Sequence, residues 1–335
     1  MPFVTDIVGP QRPVETWPPL VAGALRRTST IDTHPDGAAD SDVDLRARDV
    51  VVRRGAVEVL DEIAVRARLA DRVIETIEAV AAGDERLGRL VGKRVGPGFR
   101  STVDELLPTE VPGSTLLHLL LDDWVGAALV SGYALQYATI VAGTEEKLPP
   151  GTADRMAGIC AGFAPEASLV GYARRLGTIP SVHGPQAPPI DIDGVHAVET
   201  LGAHGMRRLR RLDLHPPEQG VARYSARFDA HFRDSHVDGD GVETIVHEYT
   251  LAGAVDVATR TITAIDADVR VLPWQECPGA IGSAQRVQGM RLAELRDRVR
   301  REFVGTSTCT HLNDTLRAIA DLDALFELRS GLDDV

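Results

Sequence analysis

One ten-residue phrase is written twice in this chain. Residues 26–35 read RRTSTIDTHP and residues 207–216 read RRLRRLDLHP. Both fit Arg-Arg-x-x-x-(Ile/Leu)-Asp-x-His-Pro without a gap, offset by 181 positions (207 against 26). Two more echoes follow in the same order: LVGKRV (90–95) against VQGMRL (287–292), and STLLHL (114–119) against STCTHL (307–312). Ordered matches at a slowly drifting offset predict an internal duplication, which limits the fold to something two similar halves can build.

The halves share a coarse pattern. In RYSARFDAHF, Tyr224, Ala226, Phe228, Ala230 and Phe232 alternate with Arg227, Asp229 and His231, the period of a half-buried strand. ETIVHEYTLAG and RTITAIDADVRV read as two more strands. Helical patterns follow over roughly 278–303 and 309–326, the latter with Leu312, Leu316, Ile319 and Phe326 on one stripe. The first half runs likewise through VDLRARDVVV, EVLDEIAVRARL and RVIETIEAV, then helices around 84–107 and 115–143. The expected fold is therefore α+β: two tandem repeats, each an antiparallel three-stranded meander followed by helices, packed about a pseudo-twofold axis. The N-terminal repeat spans 20–145 and the C-terminal repeat 201–330. Residues 146–200 hold a helix and a Pro/Gly-rich linker, TIPSVHGPQAPPIDIDG (178–194).

Composition narrows the function classes. Aromatic residues are only 4%, so the core must be Leu, Val, Ile and Ala. A net charge of −13 repels nucleic acid and anionic membranes. Cys160, Cys277 and Cys309 form no disulfide framework and suit a reducing cytoplasm. The N-terminus lacks the basic start and apolar run of a secretory signal. The apolar stretch 116–143 is interrupted by His118, Asp122 and Asp123, so it reads as a buried or amphipathic helix rather than a membrane span. The expected partner is a small-molecule substrate, and the chain allows a homodimer.

Two groups of residues carry candidate chemistry. Ser307 or Thr308 is placed to cap the last helix, which puts Cys309 and His311 in its first turn, where the helix dipole favours a thiolate. Cys277 precedes Pro278, a natural first helical residue. Cys309, His311 and Cys277 are therefore candidate catalytic residues, or alternatively ligands of zinc or iron. The opposing reading is two small core residues and a capping histidine. The N-terminal copy keeps His118 but has Leu116 in place of Cys309, which favours an architectural role for His118.

The second group is the repeated phrase. Asp213 and His215 lie two residues apart in an extended segment and face the same way, as Asp32 and His34 do, an arrangement suited to acid–base work. Arg207 and Arg208 are candidate substrate ligands, and so are Arg94 and Arg100 in the glycine-rich GKRVGPGFR. The opposing reading is an edge strand whose Arg and Asp pair across the pseudo-twofold. GKRVGPGFR is neither a P-loop nor a dinucleotide fingerprint, so no nucleotide cofactor is expected. DGAADSDVD (36–44) lacks the glycine and glutamate of an EF-hand and reads as a solvated loop.

PWQECPGA (273–280), GMRL and TSTCTHL together resemble a bacterial family of unknown function that shares Pro-Trp-x-x-Cys-Pro and, downstream, Gly-Cys-Thr-His-Leu. Here Thr308 stands where that family has glycine. The N-terminal half resembles a divergent relative through GRLVGKRVGPGFRSTVDELLP and LLLDDWVGAALVSGYA. The order of strands, a cysteine opening a helix, and a cysteine beside a histidine at the next helix is also similar to NifU- and SufE-like proteins. That resemblance implies a fold and, distantly, metal carriage, although a third ligand position is missing. The expected activity is a small-molecule enzyme without nucleotide cofactor, with lyase- or hydrolase-type chemistry on an acidic or acyl substrate. The alternatives are a zinc- or iron-binding module and a non-catalytic interaction protein.

Overall fold

Each repeated phrase forms a strand of its own: β1 (Leu25–Asp36) and β5 (Met206–Leu214). The other strands are β2 (Asp40–Arg53), β3 (Ala56–Ala70), β4 (Val73–Ala79), β6 (Ser225–Val237), β7 (Glu243–Asp256) and β8 (Thr261–Val271). In the computed structural model, which describes residues 3–37, 39–81, 85–190, 196, 198–216 and 225–333, all eight lie in one antiparallel sheet ordered β4-β3-β2-β1-β5-β6-β7-β8. The protein is thus mixed α+β, with meanders of four strands rather than three. Tyr224, residues 191–194 of the expected linker, Ala38 and residue 84 lie outside the described residues.

The opposing reading put the phrase in an edge strand with Arg and Asp paired between the copies; the copies do pair in that way, but at the centre of the sheet. Register sets Arg26 opposite Asp213, Ser29 opposite Arg210 and Asp32 opposite Arg207. Every residue of β5 is buried, as are the first nine of β1. Burial is complete because both faces of the sheet are covered here.

One face carries the helices: α1 (Phe99–Leu106), α2 (Leu116–Ala142), α3 (Thr152–Met156), α4 (Ser168–Leu176), α5 (Leu292–Glu302), α6 (Thr310–Ala318) and α7 (Leu322–Asp333). Two apolar clusters fill the space beneath them. One gathers Leu45, Phe99, Leu120 and Trp124. The other gathers Phe228, Phe232, Leu295, Leu312 and Leu316. α2 begins where Thr115 Oγ1 accepts the His118 N–H at 3.1 Å, and it stops at Gly143, which takes a left-handed φ of 68°. By length and composition alone α2 is apolar enough to cross a membrane. In the structure Leu116–Leu121 and Trp124 are buried, while Leu129 and Val141 face outward. The expected helix over 278–303 is two elements instead. A 3-10 segment, Cys277–Val287, gives way at Gly289 (φ 84°), and α5 follows.

The other face carries an N-terminal arm, residues 11–20, and a strap, of which residues 182–190, 196 and 198–201 are described. Arg12 N–H bonds Arg270 O at 2.8 Å, and Ala187 N–H bonds Glu243 O at 2.9 Å. At Gly184 a Cβ would sit 1.9 Å from Ile245 O, so only glycine lets the strap lie this close to β7. The described part of the Pro/Gly-rich stretch read as a linker, through residue 190, therefore covers the sheet.

Candidate functional site

The seam between β1 and β5 consumes most of the second candidate group. Arg26 forks onto Asp213 at 2.8 and 2.7 Å, and Arg207 forks onto Asp32 at 2.8 Å twice. Asp213 also accepts from Arg211. Asp213 and His215 do not work as an acid–base pair, because His215 Nε2 lies 2.6 Å from Asp229 instead. His34 Nε2 likewise sits 3.5 Å from Asp44. Both Asp–His pairs are therefore split, with each histidine beside an aspartate of the neighbouring strand.

The space between sheet and helices holds a second ionic layer. Arg208 forks onto Asp234 at 2.8 and 2.9 Å and reaches Asp314 at 3.0 Å. Arg210 binds Asp123, Arg100 binds Asp314 at 2.9 Å, and Arg317 binds Asp122. Burial by itself would lower the Arg208 pKa, but the facing carboxylates outweigh it and hold the guanidinium charged. Burial would likewise raise Asp234 and Asp122, yet Arg208 and Arg317 hold both well below the carboxylate range. Arg208, expected to meet substrate, is therefore a core cation, and Arg100, expected there too, is a half-buried one tied to Asp314. Arg94 is an exposed partner of Asp71 at 3.1 Å.

Cys309 and Cys277 are brought into one apolar core cluster, and His311 lies half-buried at its border. Cys309 itself occupies the N-cap of α6, displacing the expected Ser307 or Thr308, and its side chain caps nothing. Tyr249 OH donates to Cys309 Sγ at 3.3 Å, and His311 Nδ1 lies 4.0 Å from that sulfur. Burial pushes the Cys309 thiol up and the Cys277 thiol far up, so the expected thiolate does not form. Cys160, not singled out from sequence, packs beside them and is pushed up to about 11 by burial. Its neighbour Ala161 donates to Thr308 O at 2.9 Å.

The expected Cys277–Cys309–His311 ligand set does not assemble. Among the described residues, the group whose ligand atoms all lie within 4.8 Å of one another is Asp234, His247 and His311. Its two imidazoles stack face to face, with centroids 3.5 Å apart and planes 19° apart. In that stack the in-plane lone pairs run nearly side by side and do not converge on one ion. Asp234 is also already forked by Arg208. His247 Nδ1 lies 3.4 Å from Asp234 Oδ2, a charge contact whose alignment is too poor for a hydrogen bond. His311 Nε2 is enclosed without a partner, and burial lowers both histidines. The group would hold zinc or iron only after His311 turned out of the stack.

The opposite face offers more room. A cavity of about 390 Å³ lies between the strap, the arm and β5–β7, within the size range of small-molecule sites. Trp17, Leu201, Leu209 and Val237 give it an apolar wall, and Arg207, Arg233, Ser235 and Glu243 give it polar groups. Arg207 Nε and Nη2 are committed to Asp32 and to Glu199 O, and Nη1 has no partner among the described residues. Glu243 accepts from the Ser235 hydroxyl. Arg233 donates to Glu248, Pro188 O and Val14 O.

Behind this wall the network is closed. Trp17 Nε1 donates to His231 Nδ1 at 2.9 Å, so the proton of the neutral ring is on Nε2, which meets Glu248 at 2.8 Å. Arg26 and Arg211 each lie 5.6 Å from the Trp17 ring. Of the residues expected to meet substrate, Arg207 alone reaches this cavity. Ser235, Glu243 and Arg233 carry no spacing signal, because the strap that encloses them comes from a distant part of the chain.

No curated protein and no solved structure matches the chain. Residues 206–324, from the start of β5 into α7, match the model of a family described as a protein of unknown function, DUF2889.

Proposed function

We propose that this chain is an internally duplicated, cofactor-independent acyl-directed enzyme, of hydrolase or lyase type, working in the cavity beneath the strap. Arg207 Nη1 would hold the substrate carbonyl oxygen and stabilise the charge that develops on it. Glu243 would act as general base, toward water or the carbon beside the carbonyl. The carrying observation is that Arg207, with one guanidinium nitrogen lacking a partner among the described residues, and Glu243, whose carboxylate accepts from a serine hydroxyl, line the same largely apolar cavity. Arg207 and Arg233 are balanced by Asp32 and Glu248, so Glu243 leaves a negative excess. That favours a neutral or singly charged acyl compound over a polyanion.

The duplication belongs to the same reading. A rotation that exchanges β1 and β5 about the Ser29–Arg210 pair also exchanges the Arg26–Asp213 and Arg207–Asp32 forks. Val-Glu-Thr occurs at 14–16 and again at 198–200, before β1 and before β5. Trp17 and Leu201, which follow those triplets, both line the cavity. The site would then lie where the two subunits of an ancestral dimer met. A cytoplasmic location belongs to the same proposal.

The test uses p-nitrophenyl esters of short acyl chains. Wild type and Cys309→Ser release nitrophenolate above the buffer rate, and Glu243→Gln does not. Loss in Cys309→Ser with retention in Glu243→Gln, or no release by the wild type, overturns the reading. The zinc or iron alternative is favoured only by the closeness of Asp234, His247 and His311. Stoichiometric metal that disappears in His247→Ala would move the chemistry there.

A further inference from the structure

On the helix-bearing face, a second cavity of about 210 Å³ lies between the tips of the first-half hairpins and α2. Its lining includes Arg72, Trp124, Ser131, Gly132, Ser41 and His204. Arg72 is the second residue of the two-residue turn between β3 and β4. Asp71 and Arg72 both take left-handed φ values, 43° and 63°. The turn between β2 and β3 has the same shape at Arg54 and Gly55, with φ of 54° and 80°, but puts glycine at the second position. Arginine therefore stands where this turn type prefers glycine.

What the guanidinium does explains little of that strain. Asp71 is taken by Arg94, at 3.1 and 3.3 Å, and Arg72 makes no side-chain bond of its own among the described residues. Instead Arg72 Nη2 lies where α2 passes at Gly132, and a Cβ there would come within 3.0 Å of it. Trp124 is fully buried, and its indole Nε1 has no acceptor. The cavity thus sets a guanidinium that makes no side-chain hydrogen bond among the described residues against an apolar wall that includes Leu69, Trp124 and Met206.

From this convergence we propose that the cavity binds a small organic monocarboxylate with an apolar body, its carboxylate on Arg72. The volume, below that of drug-sized sites, sets the ligand at metabolite size. Asp40 and Asp71 at the wall disfavour a dianion.

The probes are benzoate, its neutral analogue benzamide and the dianion phenylphosphate, measured by calorimetry on the full chain. Benzoate binds the wild type, and the other two bind weakly or not at all. Arg72→Gly melts at a higher temperature than the wild type, because the turn is relaxed, yet binds benzoate weaker by about tenfold or more, the loss of one charge-assisted contact. Gly132→Ala, which favours the helix, weakens benzoate by pushing the guanidinium aside. Ester hydrolysis beneath the strap is unchanged in Arg72→Gly, so the two sites fail or stand separately. Equal benzoate affinity in wild type and Arg72→Gly overturns the proposal, and so does a wild type that does not bind benzoate.

Discussion

On acidification the protein loses stability between pH 6.5 and 4, because its buried histidines outnumber the few carboxyls, Asp61, Asp104, Asp321 and Asp323, that burial raises. Burial holds six histidines neutral, His118, His196, His231, His236, His247 and His311. Burial lowers His118 and His196 to about 3, and His231 and His236 to about 4. In the unfolded chain each returns to an ordinary pKa near 6.5. Between the two values the unfolded state binds more protons than the folded one, so stability rises with pH. Stability is therefore intact above about 6.5 and drains as pH falls toward the folded values, by up to about 1.4 kcal/mol per histidine per pH unit.

Below the window, Asp234, Asp122 and Asp314, held low by arginines, add their own loss as they are forced to protonate. Urea midpoints at pH 7, 6, 5 and 4 measure the effect. A midpoint flat from pH 7 to 4.5 would mean these rings are not enclosed as described.

Arg208→Met destabilises the fold by about 3–5 kcal/mol, the range for leaving buried carboxylates without their cation. Arg208 lies against Asp234, Asp314 and Asp123, and its side chain is about 1% exposed. A typical domain has about 5–15 kcal/mol in total, so this variant sits near the edge of folding at room temperature. Arg94→Met, which breaks an exposed pair with Asp71, leaves the urea midpoint unchanged. Chemical denaturation of the two variants side by side separates a core cation from a surface one. An Arg208→Met midpoint equal to wild type would return Arg208 to the list of free, substrate-facing arginines.

How much of this was legible beforehand varies by element. Strands β2–β4 and β6–β8 follow from alternation, and the stripe Leu312, Leu316, Ile319 and Phe326 is buried as its spacing requires. The repeated Arg–Asp phrase shows that arginine and aspartate matter together. It misleads about place, because charge in a strand reads as exposure until the partner strand is known. Arg26 and Arg207 are buried at the seam only because each finds the other copy's aspartate.

Cys309 and His311 misled for a related reason. A cysteine beside a histidine at a helix start resembles chemistry, and the sequence does not show that Tyr249, Phe232 and His247 close over them. The strap-side cavity was the least legible part. Its wall combines residues from 17 to 243, and no local spacing connects them.

The central claim is that the cysteine–histidine motif is core and that chemistry belongs beneath the strap. Thiol accessibility tests it most directly. Ellman's reagent is added to native protein at pH 8, with urea-unfolded protein as reference. Cys160, Cys277 and Cys309 are all buried, and burial raises their thiols, so the native protein should stay silent until it unfolds and should then release all three equivalents. Rapid reaction of one equivalent in the native state, abolished by Cys309→Ser, would contradict the account and restore Cys309 as an activated nucleophile.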